Sequence, residues 1–290
     1  MVIAVVGSTG QLGSDLLSLW GDRAVGLARR DLDLVDPSTI AGPLDELDPD
    51  VVVNAAAYNQ VDQAESQPAD ALAVNTLGPR WLARWCASAR DGRGVRLIHV
   101  STDFVFGADA TREVPYTESD PTGPQGAYAV SKLGGELAVR AGCRDHLVVR
   151  TCGLYGHSAR TREGGGNFVE TMLRLGGERG TVRVVDDQHC TPTSTLALSR
   201  AIDSMMASDC RGVIHATCAG ATTWWDFARA IFELAGLDVD VQPISTAEFG
   251  AAACRPGYSV LDGTRLVEET GLAMPGWREA LEEYLAQRGV

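Results

Sequence analysis

Residues 2–13 read VIAVVGSTGQLG. A β-branched run, Val2–Val6, leads into glycines at 7, 10 and 13, and an amphipathic stretch follows over 11–20. The spacing is G-x-x-G-x-x-G directly after a first strand. Such a loop needs glycine for a tight turn, for close approach of backbone to a pyrophosphate, and for contact between helix and strand. The helix that follows points its N-terminal N–H groups at an anion. The strand–turn–helix context favours a dinucleotide loop over a plain βα turn.

Further along, short apolar runs occur at Val2–Val6, Ala24–Ala28, Val51–Ala55, Leu97–Ser101, Leu147–Thr151, Val182–Val185 and Val213–Ala216. Helical patterns lie between them, near 11–20, 37–47, 64–88, 128–141, 167–176 and 194–207. The first five runs are almost wholly apolar, as strands buried on both faces are. This alternation predicts an α/β fold with a doubly wound parallel sheet of the Rossmann kind and a smaller C-terminal substrate-binding lobe. The expected organisation is a dinucleotide-binding core over 1–152, a crossing segment over 153–181, a return to the core sheet over 182–217, and mainly substrate lobe over 218–290. Helices are expected there at 223–236, 263–270 and 276–287. The cleft would lie over the C-terminal ends of the strands.

Composition narrows the function. The 290 residues carry a net charge of −13, which argues against nucleic acid and anionic membranes as partners. No apolar run is long enough to span a bilayer, and the N-terminus lacks the basic region of a signal peptide. The seven cysteines form no C-x-x-C and no zinc spacing; His189–Cys190 is read as structural, and no metal is expected. Reduced, mostly buried thiols in a cytoplasmic protein are the expectation.

Lys132 is the only lysine among 25 basic residues. It follows Tyr128 by four residues, so the two share a helix face. A nearby ammonium stabilises a phenolate and lowers a tyrosine's pKa. A compact, tunable ammonium also suits a ribose hydroxyl in a way that guanidinium does not. Ser101, Thr102 and Asp103 end the fourth strand, where a hydroxyl can bond a carbonyl that gains charge. Thr102, Tyr128 and Lys132 are therefore the candidate catalytic group, and His99 is read as a satisfied core residue. At the end of the second strand, Arg29 and Arg30 favour the 2′-phosphate of NADPH; Asp31 and Asp33 leave NADH tolerated. Ala55, Ala56 and Ala57 would let a flat cofactor lie against the backbone.

These motifs resemble the extended short-chain dehydrogenase/reductases and, more closely, the dTDP-4-dehydrorhamnose reductase family. The specific segments are NAAAYNQVDQAE (54–65), STDFVF (101–106) and RPGYSVLD (255–262); VVDDQHCTPT (184–193) is a further match. The resemblance implies reduction of the C4 ketone of a dTDP-4-keto-6-deoxy-L-sugar by NADPH or NADH. Tyr128 would donate the proton, Lys132 would hold the ribose, and Thr102 would orient the ketone. The cofactor site so implied comprises Gly7, Thr9, Gly10, Gln11, Leu12, Gly13, Arg29, Arg30, Asp33, Leu34, Ala55, Ala56, Ala57, Asn75, Ser101, Tyr128 and Lys132. The dTDP-sugar site comprises Val61, Thr102, Asp103, Phe104, Thr151, Gly153, Asn167, Gln188, Trp224 and Arg255. A monomer or homodimer is expected.

Four positions depart from the family pattern. Ala129, Phe104 and Cys190 stand where glycine, tyrosine and glycine are usual. Gly153 stands where the family has tryptophan, which is expected to enlarge the sugar pocket. A reductase of a branched or modified sugar, of the dihydrostreptose type in antibiotic pathways, therefore stays open. So do a non-catalytic dinucleotide-binding regulatory subunit and a nucleotide-sugar epimerase or dehydratase.

Overall fold

The protein was analysed as a computed structural model that describes residues 1–92, 94–158 and 166–289. Strands β1 (Ile3–Val6), β2 (Ala24–Leu27), β3 (Val51–Asn54), β4 (Arg96–Thr102) and β5 (His146–Thr151) are the predicted apolar runs, shifted by a residue or so at their ends. Every residue of β1, β3 and β4 is buried. All pair in parallel, in the order β5-β4-β3-β1-β2, and Gly212–His215 closes the sheet beside β5. The order reverses between β1 and β3, so the loops after these two strands flank the crevice where open α/β sheets take ligands.

Alternation along each strand loads both faces. Ile3, Val5, Val51 and Val53 pack with Leu12, Leu16 and Trp20 of α1 (Gln11–Trp20) and with Leu198, Ile202 and Met205 of a later helix, Thr195–Ala207. Ala4, Val6 and Val52 face the other way, onto Leu44 of α2 (Ala41–Leu47) and residues further along the chain. The expected single helix over 64–88 is broken into α3 (Val61–Ser66), α4 (Pro68–Leu72), a π-turn (Ala73–Leu77) and α5 (Gly78–Ser88). Pro68 and Pro79 explain the breaks. Each lacks an N–H and sits in the first turn of its helix. Gln67, before Pro68, leaves the helical region at φ −130° and ψ 55°. Next come α6 (Ala127–Gly142), which adds Val139 to the second face, and α7 (Phe168–Glu178).

Val182–Val185 does not return to the core sheet. The strand Thr181–Val185 pairs in parallel with Asp240–Ile244 in a separate two-stranded sheet. Its burial alternates: Val182 and Val184 pack inward against Phe227 and Ile231, while Thr181 and Arg183 face out. One apolar face is what a sheet covered on one side needs; the core sheet requires two. The partner strand was not anticipated, because DVQPI contains a proline and is mostly exposed, the character of an edge strand. The second body gathers α7, these two strands, the helix Trp224–Leu234 and the C-terminal helix Trp277–Arg288 around Tyr155, Phe227 and Leu281. Residues 159–165 of the expected crossing segment lie outside the described residues. No helix among the described residues is long and apolar enough to cross a membrane.

Candidate active site

The glycine loop joins β1 to α1 at the crevice. Gly7 has φ +83°, and a Cβ there would lie 2.7 Å from the Ala56 backbone nitrogen, so the loops after β1 and β3 touch at glycine. A Cβ on Gly13 would overlap the Gly7 carbonyl. The N-cap of α1 is Gly10, no side chain caps the helix, and its first turn carries no acidic residue. Its N–H groups are therefore available to an anion. This is a cradle that side chains would fill, and it fits a dinucleotide pyrophosphate. Thr9 is exposed beside it, while the Leu12 side chain belongs to the core. Arg29 and Arg30 are 80 and 88% exposed; Arg29 reaches Asp33 at 3.2 Å and Arg30 reaches Asp31 at 3.5 Å. Leu34 is buried under Gly78.

Thr102, Tyr128 and Lys132 meet at the C-terminal end of β4. Lys132 is 2% exposed, and its Nζ donates to the Val100 carbonyl at 2.7 Å. Burial pulls its pKa down to about 8, against a raising influence of Glu136. Burial raises the Tyr128 pKa, opposed by the Thr102 hydroxyl. The expected lowering by Lys132 is not seen: loss of water around the phenol dominates, and the ammonium is committed to the Val100 carbonyl. A tyrosine so held stays protonated at neutral pH, the state a proton donor requires. The ring of Phe104 meets that of Tyr128 edge-on, with centroids 6.0 Å apart.

Several expected ligand residues have their polar groups committed within the protein. Asn75, in the π-turn, accepts from the Tyr58 N–H at 2.8 Å and donates to the Tyr58 carbonyl and to Ser131 Oγ, both at 3.0 Å. Ser131 in turn donates to the Tyr128 carbonyl at 2.7 Å. Asn75 thus fastens the loop after β3 to the Tyr128 helix. Ser101 Oγ donates to Glu136 Oε1 at 2.6 Å. Glu136 is fully buried and takes a two-pronged pair with Arg150, 2.7 Å at its shortest. Asp103 accepts from Thr102 at 3.1 Å and from Ser259 at 2.5 Å. Burial raises the Asp103 carboxyl, and bonds from Ser259, Cys152 and Thr102 oppose that rise. Burial raises the Cys152 thiol as well, but its contact with Cys190 counts for more. His99 is only half satisfied: Nδ1 meets the Asn54 amide at 3.1 Å, and Nε2 has no hydrogen-bond partner. Burial, then Lys132, holds its pKa far down, so it is neutral.

The RmlD substrate binding domain family model matches residues 1–289. The chain belongs to that family. It is 40% identical over 289 residues to a dTDP-4-dehydrorhamnose reductase of Streptomyces griseus, covering 96% of this chain and 91% of that one. A spore coat polysaccharide biosynthesis protein of Bacillus subtilis is 37% identical, with 99 and 97% covered. Among solved structures, a dTDP-4-dehydrorhamnose reductase of Bacillus anthracis in complex with NADP superposes with a TM-score of 0.90 at 34% identity, covering 99 and 100%.

Among the residues expected at the dTDP-sugar, Val61 opens α3 and Thr151 lies opposite Thr102 in register, its buried hydroxyl without a partner. Gly153 has φ +50°, and a Cβ there would come within 3.0 Å of Trp224 Cη2. The space next to Gly153 is therefore taken by the Trp224 indole, and the expected enlargement of the pocket is not seen there. Trp224 is itself backed by Phe168, with centroids 4.8 Å apart. Gln188 is buried and donates to Thr246 at 2.9 Å. Asn167 caps α7 and donates to Gln11 Oε1 at 2.9 Å, which also accepts from the Gly156 N–H. Gln11 and Asn167 thus join the α1 loop to the second body. Arg255 forms a double bond pair with Asp62, at 3.1 and 2.7 Å. Glu136 and Arg150 were missed from sequence. Each is an ordinary charged residue on a helix or strand, and only its partner across the fold gives it a role. Among the described residues no cluster suited to a metal ion occurs.

Proposed function

We propose that the protein is an NADPH-dependent reductase of the C4 ketone of a dTDP-4-keto-6-deoxy-L-sugar, of the dTDP-4-dehydrorhamnose type. The observation that carries this reading is a buried Lys132 with Tyr128 and Thr102 at one strand end, beside a glycine cradle open to a pyrophosphate. Bound NADPH would supply a hydride to C4. Tyr128 delivers the matching proton to O4, so ketone becomes alcohol. Thr102 lies against the Tyr128 hydroxyl and orients the oxygen between them. Lys132 would hold the cofactor ribose, and Gly7, Gly10 and Gly13 with the start of α1 would hold the phosphates. Arg29 and Arg30, exposed and paired only with the surface carboxylates Asp33 and Asp31, suit a 2′-phosphate better than a bare hydroxyl. Trp224 and Phe104 would wall the sugar side, and the second body around Trp224 would serve as the substrate lobe.

A modified 4-keto sugar, of the kind used in antibiotic pathways, is the second reading. It is favoured by Trp224 occupying the room beside Gly153, which gives the sugar pocket a different wall. A dehydratase is disfavoured: Asp103, the acid next to Thr102, is buried and bonded to Ser259 and Cys152, away from open space. A purely regulatory dinucleotide binder has no need of the proton donor. The test is loss of nicotinamide absorbance with NADPH and dTDP-4-dehydrorhamnose. Rapid oxidation supports the first reading. NADPH binding without oxidation refutes it, and turnover of a branched 4-keto sugar would then establish the second.

A further inference from the structure

Tyr128 is the second residue of α6, in the turn where a helix frays and its N–H groups lack partners. The residue before the helix is Gly126, at φ −137° and ψ 168°, and it has no side chain to cap the end. Serine, threonine or aspartate is preferred at such a position. A Cβ on Gly126 would lie 2.8 Å from Glu65 Oε1, so a side chain there would displace that carboxylate. That oxygen instead accepts from the Ala127 N–H at 2.8 Å. The cap of the Tyr128 helix thus comes from another element, α3, across 62 residues of chain.

We propose that Glu65 is a positioning residue for the proton donor; the inference rests on the reductase reading. On the inner side, Ser131 holds the Tyr128 carbonyl and Lys132 holds Val100. On the outer side, Glu65 keeps the first turn closed, and its negative charge suits the positive end of a helix dipole. The anchor is itself fixed. Asp62, three residues earlier on α3 and so on the same face, accepts from the Ala253 N–H at 3.0 Å and grips Arg255. One short helix therefore ties the start of the Tyr128 helix to the segment that carries Arg255, one of the residues expected at the dTDP-sugar.

The test compares wild type, Glu65→Ala, Glu65→Gln and the double variant Glu65→Ala/Gly126→Ser. Amide hydrogen exchange over residues 127–130 is measured alongside kinetics with NADPH and dTDP-4-dehydrorhamnose. Loss of one cap shifts the helix-end equilibrium by about fivefold. Glu65→Ala is expected to speed exchange of this turn by about that factor. It should lower kcat similarly, with a smaller change in KM for NADPH. Glutamine keeps the acceptor oxygen and should recover both. Serine at 126 supplies a local cap, and once Glu65 is truncated the nearest remaining neighbour of its Cβ is the Cys254 carbonyl at 3.5 Å; it too should recover both. Unchanged exchange in Glu65→Ala overturns the inference, as does a kcat loss that neither glutamine nor serine restores. Absence of wild-type turnover would overturn the reductase reading instead, and the exchange comparison, which needs no substrate, tells the two failures apart.

Discussion

Because Lys132 is the only lysine, its protonation can be followed without interference. Protein labelled with ¹³C at lysine Cε gives one side-chain lysine resonance, and its shift against pH reports the ammonium directly. Burial pulls the Lys132 pKa from 10.5 down to about 8, and the side chain is 2% exposed, so solvent offers little relief. The shift corresponds to about 3 kcal/mol of differential cost for keeping the charge. Between pH 8 and 10.5 the unfolded chain binds a proton that the folded chain has lost. Stability from this group is therefore fully present above pH 10.5 and is lost as pH falls back through 8. Denaturant unfolding of wild type and Lys132→Met across that window should show their stability difference moving by about 3 kcal/mol in favour of wild type as pH rises. Removing the charge of Glu136, which raises the Lys132 pKa, should move the resonance midpoint lower still. A midpoint at 10 or above would refute the reasoning, since it would mean that the ammonium is solvated in the folded protein.

Three further outcomes are expected. Glu136→Ala leaves Arg150 buried without its carboxylate and should cost about 3–5 kcal/mol in urea unfolding; a loss below about 1 kcal/mol would show that the pair contributes little. Gly7→Ala forces a Cβ into the Ala56 backbone at φ +83°, and NADPH affinity by fluorescence titration should fall at least about tenfold, since one kilocalorie or more of left-handed strain adds to a displaced loop; wild-type affinity would contradict the cradle. Gly153→Ala should destabilise by about 1–2 kcal/mol, because φ is +50° and Trp224 lies against the site; a neutral or stabilising effect, as at an ordinary glycine, would place Trp224 elsewhere.

Much of this protein is carried by local chemistry. Apolar runs long enough for one strand, glycines at 7, 10 and 13, and a tyrosine and lysine four residues apart are signals that neighbours along the chain complete. They determined the parallel sheet, the glycine turn into α1 and the placing of Tyr128 and Lys132 on one helix face, because strand period, helix period and turn geometry are short-range properties. The proline breaks at 68 and 79 are of the same kind and were legible in principle. Tertiary structure decided the rest. Whether TVRVV joins the core sheet or a second one depends on which surface covers its single apolar face, and that surface comes from residues 224–244. Whether Asn75, Ser101 and Asp103 face a ligand or the protein depends on partners 56, 35 and 156 residues away. The room left by Gly153 is decided by Trp224, and the cap of the Tyr128 helix by Glu65. Hydrogen bonds and burial act over a few ångströms of space whatever the distance along the chain, so the pKa values and free valences of the site exist only once the chain has folded.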